Sequence, residues 1–119
     1  MATQKEIQVC INPHFDAVAL WIGSFGGENS PCDISRGVFA GKRGVPRLLD
    51  FFKHYGIRTT WHITGHSMES FPRAAGMIVE SGSEIGIHGY SHENPQAMSR
   101  QQKLIQVAEQ IIAMSELLG

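Results

Sequence analysis

The segment His88-Gly-Tyr-Ser-His92 sets two imidazoles four residues apart, and Asp16 lies far upstream, after Pro13-His14-Phe15. Two ring nitrogens and one carboxylate oxygen can hold a divalent ion and still leave positions open for water and substrate, as catalytic zinc sites do. An ion so held draws the pKa of bound water towards neutrality and polarises a carbonyl, which is the chemistry of hydrolysis. The same ligand set also suits non-haem iron. The spacing of the histidines alone is a weak signal, and an aspartate after a strand commonly serves a turn. Gly86, Gly89 and Pro95 argue against a helix around the histidine pair, so a turn at a strand end must aim the two rings together. The assignment rests on joint placement.

The elements that would do the placing can be read along the chain. Glu6 to Asn12 alternates with β-branched residues and reads as a first strand that Pro13 stops. Glycines at 23, 26, 27, 37, 41 and 44, with Pro31, mark 23–44 as a long loop with room for a short helix after Asp33. Val45 to Tyr55 is an amphipathic helix with Pro46 in its first turn and Gly56 closing it. Ile57 to Thr64 is a strand, Phe71 to Ser81 a helix, and Glu84 to His88 a third strand. A loop through GYSHENP leads to a long helix from Ser99 to Leu118, with Ser99 as its cap. Strands alternating with helices predict an α/β fold of parallel βα units, whose carboxyl-terminal strand ends share one edge. Asp16, Gly65-His66 and His88 to His92 all follow strands and so converge on that edge.

Other polar residues carry blander expectations. His54 reads as a surface residue of its helix, His62 as a packed strand residue with a hydrogen-bond partner, and His66 as structural. Cys10 and Cys32 are too few for a disulfide framework and read as buried thiols of a reducing compartment. With 42% apolar and 18% charged residues the 119-residue chain is globular rather than disordered. A net charge of -1 gives no electrostatic reason to expect nucleic acid or an anionic membrane as partner. The amino terminus lacks an apolar core of signal-peptide length, which gives the expectation of a cytoplasmic protein.

The stretches FDAVALWIGSFGGENSPCDISRGVFAG, GVPRLLDFFKHYGIRTTWHITGHSMESFP and SGSEIGIHGYSHENPQAM closely resemble the polysaccharide deacetylase, or NodB-like, family. The likeness is to its peptidoglycan-deacetylase-like and cyclic-imidase-like branch, and it covers nearly all of Ile7 to Gly119. It implies a distorted (β/α) barrel in which an aspartate and two histidines bind one divalent metal, expected to be zinc. Those ligands fall on Asp16, His88 and His92. The family's general base is an additional aspartate whose place is taken here by His14. An imidazole can serve as a base near neutrality, and it can equally be a fourth ligand or a bystander.

A complete barrel of this kind needs on the order of 200 to 250 residues. Residues 1–119 are accordingly read as the amino-terminal portion of the barrel, a partial NodB homology domain. Three parallel strands leave open edges, so marginal stability or a homo-oligomer is expected of the chain alone. The resemblance implies a hydrolase of non-peptide carbon–nitrogen bonds. A small cyclic imide or ureide is the favoured substrate, and an N-acetylated sugar is the close second. The rival reading is an inactive metal-binding fragment that associates with a full-length homologue.

Overall fold

The computed structural model describes residues 5–119. Three short strands, β1 (His14–Phe15), β2 (Thr60–Ile63) and β3 (Glu84–Ile87), form one parallel sheet in the order β1-β2-β3. The helices are α1 (Ala19–Gly23), α2 (Pro31–Phe39), α3 (Val45–Tyr55), α4 (Gly65–Ser70), α5 (Pro72–Glu80) and α6 (Arg100–Leu118). The α/β class and the parallel βα order are those read from the sequence.

One sheet face makes the core. Phe15, Trp61 and Ile63 point into it and meet Val45 and Phe52 of α3, Met68 of α4, Ala74 and Ile78 of α5, and Ala113 of α6. Trp61 also donates its indole N–H to the Thr59 hydroxyl at 3.0 Å, so its one polar atom is satisfied inside. Three helix ends follow the expected chemistry. Gly56 takes the left-handed conformation after α3, Pro72 opens α5, and Ser99 and Gln102 form a reciprocal capping box at the start of α6.

The first strand is a correction. Residues 6–12 form no strand, and Ile7 and Val9 are 83% and 79% exposed because their alternation has no layer to pack against. The ladder proper begins after Pro13, and upstream of that proline the Ile11 carbonyl accepts from the Thr60 N–H at 3.4 Å. The Pro13 carbonyl accepts from the His62 N–H at 3.0 Å, but proline has no N–H to extend the ladder upstream, so regular pairing is confined to His14 and Phe15. The second strand is likewise shorter than Ile57 to Thr64, and Gly65 to Ser70 is a helix capped by Thr64.

The expected long loop is a second correction. Ser30 caps α2 and Pro31 opens it; five residues of π-helix at Ala40–Gly44 then carry the chain without a break into α3. Two of the glycines that suggested a loop are there for contact. A Cβ on Gly37 would lie 2.6 Å from Val18 Cγ1, and one on Gly41 would lie 2.3 Å from the Phe71 ring. Cys10 and Cys32 are free and exposed, not buried, since one precedes the sheet and the other sits in the first turn of α2. Among the described residues no helix is long and apolar enough to cross a membrane.

Candidate metal centre

The opposite face of the sheet carries the chemistry. Register sets His14 beside His62 and His62 beside Gly86, and the two-residue alternation of strands brings Asp16 and His88 to the same side. The rings of His14 and His62 lie 5.2 Å apart, those of His14 and His88 4.4 Å, and those of His62 and His88 6.4 Å. Gly86 makes the room, since a Cβ there would stand 2.7 Å from Cδ2 of His62.

Asp16 directly follows the first strand, and the chain leaves the sheet through Ala17, whose φ of 43° is a conformation that residues with a Cβ rarely adopt. Oδ1 of Asp16 is 3.5 Å from Nε2 of His88, and Oδ2 is 4.0 Å from Nε2 of His92. Both Asp16 Oδ1 and His88 Nε2 are buried and without a hydrogen-bond partner. Native interiors rarely tolerate such atoms unless an ion or water satisfies them. Two atoms sharing one zinc at tetrahedral angles stand roughly 3.3–3.5 Å apart. The donor set and its spacing therefore fit a divalent cation. Among the described residues the ligand atoms of His14, Asp16 and His88 all lie within 4.8 Å of one another, a group that includes His14 and leaves out His92.

Burial lowers the pKa of His88 below the usual 6.5, partly offset by the Asp16 carboxylate, with His14, His92 and His62 pushing further down. The ring is held neutral, the form in which imidazole binds a metal.

The segment carrying His92 is clamped from several sides. The Gly65 and His66 N–H groups, in the first turn of α4, donate to the carbonyls of Gly89 and Tyr90 at 3.0 and 2.9 Å. The Tyr90 ring occupies the space a Cβ on Gly65 would fill, and a Cβ on Gly23 would lie 1.7 Å from the Ser91 carbonyl oxygen. Tyr90 donates to Glu69 at 2.8 Å, which pushes the phenol's pKa up to about 12. The Glu93 carboxylate accepts from the Ser91 N–H at 3.0 Å and from the Gln106 amide, tying the turn to α6. So held, His92 itself sits at a φ of 59°.

Asp16, His88 and His92 meet at the carboxyl-terminal edge of the sheet, with His14 among them. His54 is exposed on α3, and His66 is on α4, its Nδ1 3.4 Å from the Ser70 hydroxyl. His62 departs from expectation. Its Nδ1 is buried without the partner assigned to it, because the neighbours that register provides are another imidazole and a glycine. The pairing of His14 with His62 and of Phe15 with Ile63 puts the two imidazoles on this face and the two apolar side chains on the other.

A parallel βα sheet with a carboxylate and imidazoles gathered at its carboxyl edge defines an α/β protein with a candidate metal site. The polysaccharide deacetylase family profile matches residues 33–119, and the chain belongs to that family. It is 50% identical over 115 residues to a peptidoglycan deacetylase of Helicobacter pylori, covering 97% of this chain and 39% of that one. It is 42% identical over 104 residues to a peptidoglycan deacetylase-like protein of Gibberella zeae, covering 84% and 30%. The chain thus spans well under half the length of these relatives. Among solved structures, a polysaccharide deacetylase fold from Mycobacterium smegmatis superposes with a TM-score of 0.83 at 22% identity, covering 91% of this chain and 38% of that one. A CE4 family pseudoenzyme from Bacillus anthracis superposes with a TM-score of 0.61 at 26% identity, covering 65% and 27%.

Proposed function

We propose that the protein is a metal-dependent deacetylase of N-acetylated amino sugars. Asp16, His88 and His92 hold the ion, zinc by the character of the donors, and His14 acts as general base. The observation that carries this reading is the pair of buried, unpartnered atoms, Asp16 Oδ1 and His88 Nε2, set 3.5 Å apart. A bound divalent ion would supply an activated water and polarise the amide carbonyl. His14, with its ring against His88 at the open end of the site, is placed to take the proton that the attacking water loses. The same imidazole can return it to the leaving nitrogen, so that one water and one amide become acetate and an amine. The peptidoglycan deacetylases among the relatives support an N-acetyl sugar over the cyclic imide that the sequence first suggested.

His14 also supports a second reading, a metal-binding protein without turnover, because the family's aspartate base is replaced there. The similarity to a CE4 pseudoenzyme points the same way. Acetate release from N-acetylglucosamine oligomers, measured with zinc, after chelation and in His88→Ala, tests the proposal. Release that needs both zinc and His88 supports it. Turnover that appears only in His14→Asp favours the second reading, and imide opening without acetate release changes the substrate class. Undiminished zinc binding by His88→Ala overturns the site.

A further inference from the structure

We infer that Ser24 is a positioning residue that fixes the tautomer of His92 and so presents its Nε2 to the metal; this rests on the proposed role of His92. Ser24 follows α1, 68 residues from His92 in sequence, yet its Oγ lies 2.7 Å from Nδ1 of His92 and 2.7 Å from the carbonyl oxygen of the same residue.

The proton count decides the roles. A serine hydroxyl has one hydrogen, and the carbonyl oxygen has none, so the hydroxyl donates to the carbonyl. The other contact can then be a hydrogen bond only if Nδ1 carries the proton and Oγ accepts it. In the neutral ring that leaves Nε2 as a bare lone pair, and Nε2 is the nitrogen 4.0 Å from Oδ2 of Asp16. Without the serine, an imidazole in water favours the opposite tautomer, with its proton on Nε2, where it would block coordination.

The same hydroxyl also fixes the backbone. His92 sits at a φ of 59°, and the bond to its carbonyl ties that conformation to the end of α1. Gly23 allows the approach, since any Cβ there would collide with the Ser91 carbonyl. One side chain thus sets both the ring orientation and the proton position of a residue held by no ladder hydrogen bond of its own. Partners of this kind typically change metal affinity ten- to a hundredfold when removed.

The test uses the full chain and zinc. Imidazole nitrogen NMR on the metal-free protein at alkaline pH is expected to show His92 protonated at Nδ1 in wild type and Ser24→Thr, and at Nε2 in Ser24→Ala. Zinc affinity from chelator competition should fall roughly ten- to a hundredfold in Ser24→Ala, with no further loss when that change is added to His92→Ala. An Nδ1 proton that persists in Ser24→Ala overturns the inference, as does an equal loss in both backgrounds, which would mark a merely structural effect. If His92→Ala alone leaves zinc affinity intact, the ligand role of His92 fails instead, and the nitrogen spectra report separately on the serine.

Discussion

Nε2 of His88 and Oδ1 of Asp16 face each other at 3.5 Å, each buried and each without a hydrogen-bond partner. They come from the ends of β3 and β1, which are not neighbours in the sheet, so the pair exists only when the whole sheet is formed. A cation between them would join the two outer strands. His88→Ala and His92→Ala are each expected to lower zinc affinity at least about tenfold, as the loss of a ligand should. His54→Ala, on the exposed side of α3, should leave it unchanged. Metal content after dialysis against a chelator provides the check.

In the metal-free protein His88 should titrate below the ordinary histidine value, because burial disfavours its charged form more than Asp16 favours it. Its folded pKa lies below its unfolded one, so the unfolded chain binds the extra proton first. Stability contributed by the neutral ring is therefore complete above the unfolded value of about 6.5 and declines as pH falls through it. Proton NMR titration should show the His88 midpoint move up in His14→Ala, where one lowering neighbour is gone.

Tyr90 offers an independent test of the clamp. Its phenol, raised to about 12 by the hydrogen bond to Glu69, should ionise nearer the reference value of about 10 in Glu69→Gln. For an acid whose folded pKa is raised, the contribution to stability is present below the unfolded value and is lost as pH climbs towards 12. Ultraviolet titration, with Tyr90→Phe subtracted, isolates this phenol from Tyr55.

Gly37→Ala separates propensity from packing. Alanine gains about 1 kcal/mol over glycine inside an exposed helix. At Gly37 the new Cβ would fall 2.6–2.7 Å from the side chain and backbone of Val18, and overpacking of that kind costs about 1–3 kcal/mol. The net effect should be destabilising, visible as a lower denaturant midpoint. A more stable variant would show that α2 can move away from Val18.

Gly23→Ala should act on the site instead. Its Cβ would meet the Ser91 carbonyl at 1.7 Å, so the turn must shift and take His92 with it. Zinc affinity is expected to fall at least about tenfold while far-ultraviolet circular dichroism stays close to wild type, since α1 is only five residues long.

These residues also show what the sequence could say. The helices α3, α5 and α6 were legible because each carries its own punctuation, Pro46 and Gly56, Pro72 and Gly82, Ser99 and Gln102. The carboxyl-edge convergence of Asp16, His88 and His92 followed from parallel order alone. The helix from Pro31 was not legible, because a glycine required for contact looks the same in sequence as one required for a turn. The place of His14 and His62 depended on register, which no local pattern encodes once Pro13 has cut the first strand short. Ser24 gave no local signal, since its partner lies 68 residues away.

The left-handed backbone at Ala17 and His92 places both arms of the site in conformations that cost about 1–3 kcal/mol each and that only their surroundings enforce. Ala17 is buried with Trp61, Ile63 and Ile78 in the core, whereas His92 lies outside that layer. Gentle heating should therefore release the His92 turn while that layer, with Ala17 in it, still stands. Loss of the site and loss of the fold then become separate thermal events, and a melting curve that follows helix content will overstate the range over which the proposed site stays assembled.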